Sequence, residues 1–87
     1  MKHPVVEVRW TDAVEMAGEW IEADKVRNKP MPSRTVGYLV AESDDAITVA
    51  GLVNRTHVAL GVCIPRAMIR ELVYLVPGSR RPEQETP

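Results

Sequence analysis

The chain has 87 residues, of which 45% are hydrophobic and 26% are charged, and its formal net charge is −1. This length corresponds to one small domain, and the balanced charge provides no global field that would attract DNA or RNA. The single cysteine, Cys63, excludes an internal disulfide. The two histidines and this cysteine lack the spacing of metal ligands, and we expect no cofactor.

The N-terminus predicts a strand and no targeting segment. In residues 5–10, VVEVRW, Val6, Val8 and Trp10 alternate with polar or apolar neighbours on the opposite face, as in a half-buried strand. MKHPVVEV becomes charged too early for a signal peptide, and no apolar run approaches the ~18 residues of a membrane span. We therefore expect a cytoplasmic protein.

Residues 11–34 predict a long connection after the first strand. Asp12 and Glu15 have the spacing of a capping box, which favours a short helix from about residue 13 to residue 20, although Gly18 weakens it. Asn28, Pro30, Pro32 and Ser33 then indicate a loop. An alternative extends the helix over residues 13–24 across one face of an open α+β sheet.

The rest of the chain predicts four further strands. In VGYLVAESDDAITVAG, residues 36–51, two alternating apolar runs flank a turn at Ser43, Asp44 and Asp45. Gly37 is placed where a strand bends. NRTH, residues 54–57, is a turn, VALGVCI, residues 58–64, is a strand that ends at Pro65, and IRELVYLV, residues 69–76, is the last strand.

Five short strands with a long first loop predict a mainly β fold, a small SH3-like or Sm-like barrel, because curling removes exposed strand edges. This barrel is predicted to occupy residues 1–77 as a single domain. Residues 78–87, GSRRPEQETP, are predicted to be a disordered polar tail.

The segments VEVRWTDA, SRTVGYLVAESDDAITVAG and IPRAMIRELVYL resemble a group of small, largely uncharacterised proteins encoded by tailed phages and prophages. Their pattern is V-x-W-x-D-A, then V-G-x-L-V-x-E, then I-P-x-x-x-I, and it covers roughly residues 5–75. The resemblance implies a phage context, with the host cytoplasm as the compartment. Small phage proteins often inhibit host defence, which is an association by class and not a mechanism.

The residues that could take part in catalysis have simpler structural interpretations. Cys63 lies in an apolar strand, where a buried, unreactive thiol is expected. The acidic residues Asp12, Glu15, Glu19 and Glu22 are interpreted as a solvated face. We therefore predict no catalytic residues and no enzyme.

Basic and aromatic residues in loops are the candidate ligand-binding groups, because arginine binds phosphate and an indole stacks on a base. The structural alternative is that both tryptophans belong to the core, because a chain without phenylalanine needs other large side chains to fill it. The predicted ligand-binding residues are Trp20, Arg34, Arg55, His57 and Arg66.

Two functional hypotheses follow. The first is a non-enzymatic phage-type binding protein, most specifically a homo-oligomeric decoy that sequesters a nucleotide-like host immune signal. The second is an Sm-like or SH3-like module that binds RNA or a host or phage protein. The near-zero net charge argues against strong nucleic-acid binding.

Overall fold

The protein forms one antiparallel sheet of five strands, in the spatial order β4-β3-β2-β1-β5. The computed structural model describes residues 3–16, 18–76 and 78. The predicted mainly β class is confirmed. The strands are β1 (Val5–Asp12), β2 (Met31–Glu42), β3 (Ala46–Val53), β4 (Val58–Pro65) and β5 (Ile69–Tyr74), with one-turn 3₁₀ helices at Ala23–Lys25 and Arg66–Met68.

The core is small and lies on one face of the sheet. The alternation predicted in β1 is observed, since Val6 and Val8 are fully buried and Trp10 packs against the core at its edge. The buried apolar residues are Val6, Val8, Leu39, Ile47, Val49, Ala50 and Ile64. So small a core stabilises a single copy only modestly.

The β2–β3 hairpin is built as its sequence predicts. The Ser43 N–H donates to the Ala46 carbonyl at 2.9 Å. The Ser43 Oγ accepts from the N–H groups of Asp45 and Ala46, at 3.3 and 3.2 Å. The pairing with β3 shifts register between Leu39 and Ala41, and such irregularities increase the bend and twist of a strand.

The sheet is strongly curled, because its two edge strands are joined by only three residues. A chain covers at most about 15 Å between Pro65 at the end of β4 and Ile69 at the start of β5. The edges of a flat sheet of five strands would be about 19 Å apart. The described strands β4 and β5 do not pair with each other, so closure into a barrel stays a prediction.

The predicted helix at residues 13–20 is wrong, and so is the α+β alternative with a helix over residues 13–24. Among the described residues of this connection, the only helical element is the 3₁₀ turn Ala23–Lys25. Asp12, the predicted cap, instead pairs with Met31 as the last residue of β1. A short helix needs a buried face, and Val14 and Met16 are both exposed.

Strand β2 begins earlier than its prolines suggest, since Pro32 pairs with Thr11 of β1. This is tolerated because β3 pairs with β2 only from Tyr38 onward, so the missing N–H of Pro32 faces no neighbouring strand. Strand β5 ends at Tyr74, two residues before the predicted end. The predicted tail lies outside the described residues, except for Gly78.

Candidate functional site

The outer face of the sheet carries a network of ionic hydrogen bonds centred on β1. Arg9 of β1 is paired in register with Arg34 of β2 and with Glu71 of β5. The Arg9 guanidinium donates to Glu71 Oε1 at 2.8 Å and to Glu7 Oε2 at 3.1 Å. Arg34 Nε donates to Glu7 Oε1 at 2.8 Å. These charge-assisted bonds link three adjacent strands.

Glu7 is the central acceptor of this network. It is 8% exposed, because the Arg9 and Arg34 side chains extend over it. The hydrogen bond from Arg34 lowers the pKa of Glu7, and Arg9 lowers it further, against the opposing effect of desolvation. Glu7 in turn raises the pKa of Arg9. The carboxylate is therefore held ionised and orients both guanidinium groups.

Trp10 provides a fixed aromatic surface beside this network. Its Nε1–H donates to Thr35 Oγ1 at 3.0 Å, and its ring packs against the core while staying half-buried. The register of the pairing with β5 shifts between Arg9, which faces Glu71, and Trp10, which faces Ile69, so Arg70 is passed over. Irregular pairing of this kind redirects side chains, and Arg9, Trp10 and Arg70 all line the same groove.

These residues surround an open groove of about 530 Å³, which we call the arginine groove. Arg9 is occupied by Glu7 and Glu71, whereas Arg34 uses only its Nε in the bond to Glu7 and its side chain is 71% exposed. Among the described residues, Arg70 has no carboxylate within ion-pair distance. The groove is lined by Arg9, Trp10, Pro32, Ser33, Arg34, Arg70 and Glu71.

The arginine groove has the chemistry of an anion site. Arg34 and Arg70 retain donor groups toward solvent, and a guanidinium binds phosphate or carboxylate in a forked geometry. The Trp10 indole lines the same groove from the core side of β1, and an aromatic face of this kind stacks on a planar ring. A small anion with an aromatic part suits this arrangement.

A second concavity is lined mainly by residues 13–30, which we call the arm, and also by Met31 and Pro32 of β2. It measures about 890 Å³ and includes Trp20, Lys25 and Arg27 in its lining. Trp20 is fully exposed, so the alternative that both tryptophans are core residues holds only for Trp10. The arm exposes the apolar side chains of Val14, Met16, Trp20, Ile21 and Val26.

The five predicted ligand-binding residues do not meet in one copy of the chain. Arg34 lies in the arginine groove and Trp20 on the arm. Arg55 and His57 lie in the β3–β4 turn, while the Arg66 N–H bonds to Asp45 in the β2–β3 turn. These two turns are at opposite ends of β3, whose length is roughly 25 Å.

His57 and Arg66 have local structural contacts. Asn54 Oδ1 accepts the N–H of His57 at 2.8 Å, and His57 Nδ1 is 2.7 Å from Thr56 Oγ1. Arg66 Nε donates to the Ser43 carbonyl at 2.7 Å, and its guanidinium also contacts Glu42 at 3.3 Å. Arg66 therefore ties the final 3₁₀ turn to the hairpin.

Arg9, Trp10 and Arg70 are groove residues that the predicted ligand-binding set omits. The signal that points to Arg9 is its spacing from Glu7, since residues two apart in a strand share a face. The partners on β2 and β5 require the strand order, which local patterns do not specify. Arg70 has no local signal beyond its position in an apolar strand.

Other kinds of site find little support. Cys63 is exposed on the edge strand β4, so the expectation that it is buried is wrong. No group of three His, Cys, Asp or Glu side chains that would hold a metal ion occurs within residues 3–16, 18–76 and 78. In the part of the chain described by the structure, no helix has the length and apolarity to span a membrane.

No protein-family model, no curated protein sequence and no solved structure matches the chain.

Proposed function

We propose that this is a non-enzymatic binding protein that acts as a homo-oligomer and takes a small anionic ligand of the nucleotide class in the arginine groove. The observation that carries the proposal is that the guanidinium groups of Arg34 and Arg70 and the hydrogen-bonded indole of Trp10 line one groove. A phosphate would accept from the guanidinium groups, and a base would stack on the indole. A near-neutral chain needs only such a local patch to bind a small anion.

The most specific form of this function is a phage-type decoy that sequesters a nucleotide-like host immune signal in the host cytoplasm. The resemblance to small phage and prophage proteins supports that context. Sequestration requires binding without chemistry, and the Glu7 carboxylate in the network is held ionised by two arginines. This residue therefore positions the guanidinium groups.

The scaffold proposed for this function is a small SH3-like or Sm-like barrel. The three-residue connection between the two edge strands supports it, because it forces the sheet to curl. The long β2 with its register shift is a strand that can contribute to both sides of such a barrel.

A second candidate function is an SH3-like or Sm-like module that binds RNA or a host or phage protein. The exposed apolar side chains of the arm favour it, because exposed apolar patches often mark protein interaction sites. Arg27 and Lys29 add positive charge there and have no ion pair among the described residues. An RNA ligand would show a steep loss of affinity with salt.

The test is a thermal-shift and calorimetric titration with linear and cyclic mononucleotides and dinucleotides. A ligand at one hundred times its dissociation constant should stabilise the protein by about 2.7 kcal/mol. Arg34→Gln and Arg70→Gln should each weaken binding about tenfold to a hundredfold, since a hydrogen bond to a charged group contributes about 1.5–3 kcal/mol.

The matched control is Arg55→Gln, which removes an exposed arginine at the β3–β4 turn. The nucleotide affinity of Arg55→Gln should equal that of the unmodified protein. An absence of binding to every nucleotide, or an equal loss in all three variants, would reject the arginine groove as the site.

A further inference from the structure

The charged residues are distributed very unevenly over the sheet. The chain has 11 basic and 12 acidic side chains. Only one of them, Arg55, falls within residues 46–65, which form β3, the β3–β4 turn and β4. The opposite half of the sheet carries the network of Glu7, Arg9 and Glu71. Strand β4 has no formal charge at all, and seven of its eight residues are exposed.

Strand β4 is also an edge of the sheet, so one side of its backbone has no neighbouring strand among the described residues. Edge strands usually carry charges or prolines that prevent pairing with another chain. The other edge strand, β5, has Arg70 and Glu71 in this role. In β4 the proline comes only at its last position, Pro65, and the residues before it carry no charge.

Leu60, in the middle of β4, has an unusual conformation. Its φ of 56° is the only positive value among the described non-glycine residues, and a bulky side chain adopts this region at a cost in free energy. The same residue is 74% exposed, and Val58 and Val62 on either side of it are partly exposed as well. The free chain thus holds a strained leucine directed into water.

We propose that β4 is a homodimer interface, in which the edge strands of two copies associate around a two-fold axis and Leu60 is the central buried side chain. Around a two-fold axis, residue i of one copy faces residue j of the other, and only a residue on the axis meets its equivalent. Because β4 carries no charge, no register of such a pair brings like charges together, whereas β5 would set Arg70 against its own copy in a register centred on that residue. Burial of Leu60 against the partner would offset its backbone strain.

This inference deepens the homo-oligomer of the proposed function and is independent of its ligand. The arginine groove is formed by β1, β2 and β5, so a change in β4 leaves the groove intact. Nucleotide titration therefore tests the ligand, while the mass in solution tests the interface.

The experiment is light scattering coupled to size-exclusion chromatography at about 100 µM protein. The unmodified chain of 9.7 kDa should elute as a dimer, and Leu60→Gly and Val62→Lys should each elute as monomers. Leu60→Gly should keep a folded circular dichroism spectrum, because glycine adopts a positive φ readily. The matched control, Val76→Lys, changes an exposed valine just beyond the opposite edge and should stay dimeric.

Two results would overturn the proposal. One is a monomeric unmodified chain at this concentration, and the other is a dimer that persists in both Leu60→Gly and Val62→Lys. The second result would place the interface elsewhere and leave the homo-oligomer and the nucleotide site standing.

Discussion

At the scale of single residues, Gly37 sets how closely β2 and β3 approach. A Cβ atom at this position would lie 2.6 Å from the Ala50 carbonyl oxygen and 2.9 Å from a Val49 methyl group. The nearer atom belongs to the backbone of the neighbouring strand and has little freedom to move. The absence of a side chain at Gly37 is therefore a packing requirement of the hairpin.

We expect Gly37→Ala to destabilise the fold by about 1–3 kcal/mol, the usual range for overpacking. Urea unfolding followed by circular dichroism measures it. The matched control is Gly61→Ala, where the nearest atom to the new Cβ is a Thr48 methyl group at 3.6 Å. Equal stability of the two variants would show that the close packing of β3 against Gly37 leaves room for a Cβ atom.

The Glu7 network predicts a dependence of stability on pH. Because the hydrogen bond from Arg34 lowers the pKa of Glu7 below its ordinary value of 4.5, folding favours the ionised form. This contribution is complete above the pKa of the unfolded carboxyl and is lost as the pH falls through the lower folded pKa.

Glu7→Gln should therefore lower the melting temperature at pH 7 and flatten its decline below about pH 4.5. Melting curves between pH 2.5 and 7 measure both effects. Glu42→Gln is the control, since it removes a more exposed carboxylate with a single contact to Arg66. If the melting temperature of Glu7→Gln fell with pH as steeply as that of the unmodified protein, Glu7 would not be the group responsible for the pH dependence.

Residue patterns predicted local chemistry well and long-range pairing poorly. The Ser43 turn follows from the ability of a short hydroxyl to bond its own backbone, and the structure confirms it. The apolar neighbours of Cys63 predict a buried thiol, but the residue lies on the edge strand β4 and is exposed. The site residues Arg9 and Arg70 depend on which strands are adjacent.

At the scale of elements, the arm is an insertion between two strands that already pair. Asp12 and Met31 are partners at the end of the β1–β2 ladder, so the hairpin is closed without residues 13–30. No described residue of the arm belongs to the buried core. The capping-box spacing predicts a helix in the arm, but the apolar side chains Val14 and Met16 are exposed, so no buried face stabilises one.

We predict that replacing residues 13–30 by Asn-Gly preserves the fold, since this pair favours a tight hairpin turn. The shorter loop should raise the free energy of unfolding by up to about 2 kcal/mol, because loop closure costs less entropy. Urea denaturation measures the change.

Nucleotide affinity separates the two candidate functions in this variant. It should be retained if the arginine groove is the site, because the groove residues lie outside the deleted segment. Unfolding of the variant would contradict the view of the arm as an insertion. Loss of nucleotide binding in a folded variant would move the site to the arm.

At the scale of the whole molecule, the chain combines a core of few residues with many exposed apolar side chains, including Trp20, Leu60 and Val76. The number and order of strands along the chain were predictable from alternation and turns. Five short strands predict a curled sheet in general terms. The actual curl depends on the pairing of β5 with β1, which local residue patterns do not specify. The free edge of β4 and the strained Leu60 carry no local signal.

The central claim is that the protein works as an oligomer that holds a small anion of the nucleotide class. Native mass spectrometry of the chain, purified under non-denaturing conditions and then incubated with the nucleotide panel, tests it most directly. We predict a dimer of about twice 9.7 kDa that carries a bound nucleotide, released on denaturation and reduced in Arg34→Gln. A 9.7 kDa monomer that takes up no nucleotide would contradict it.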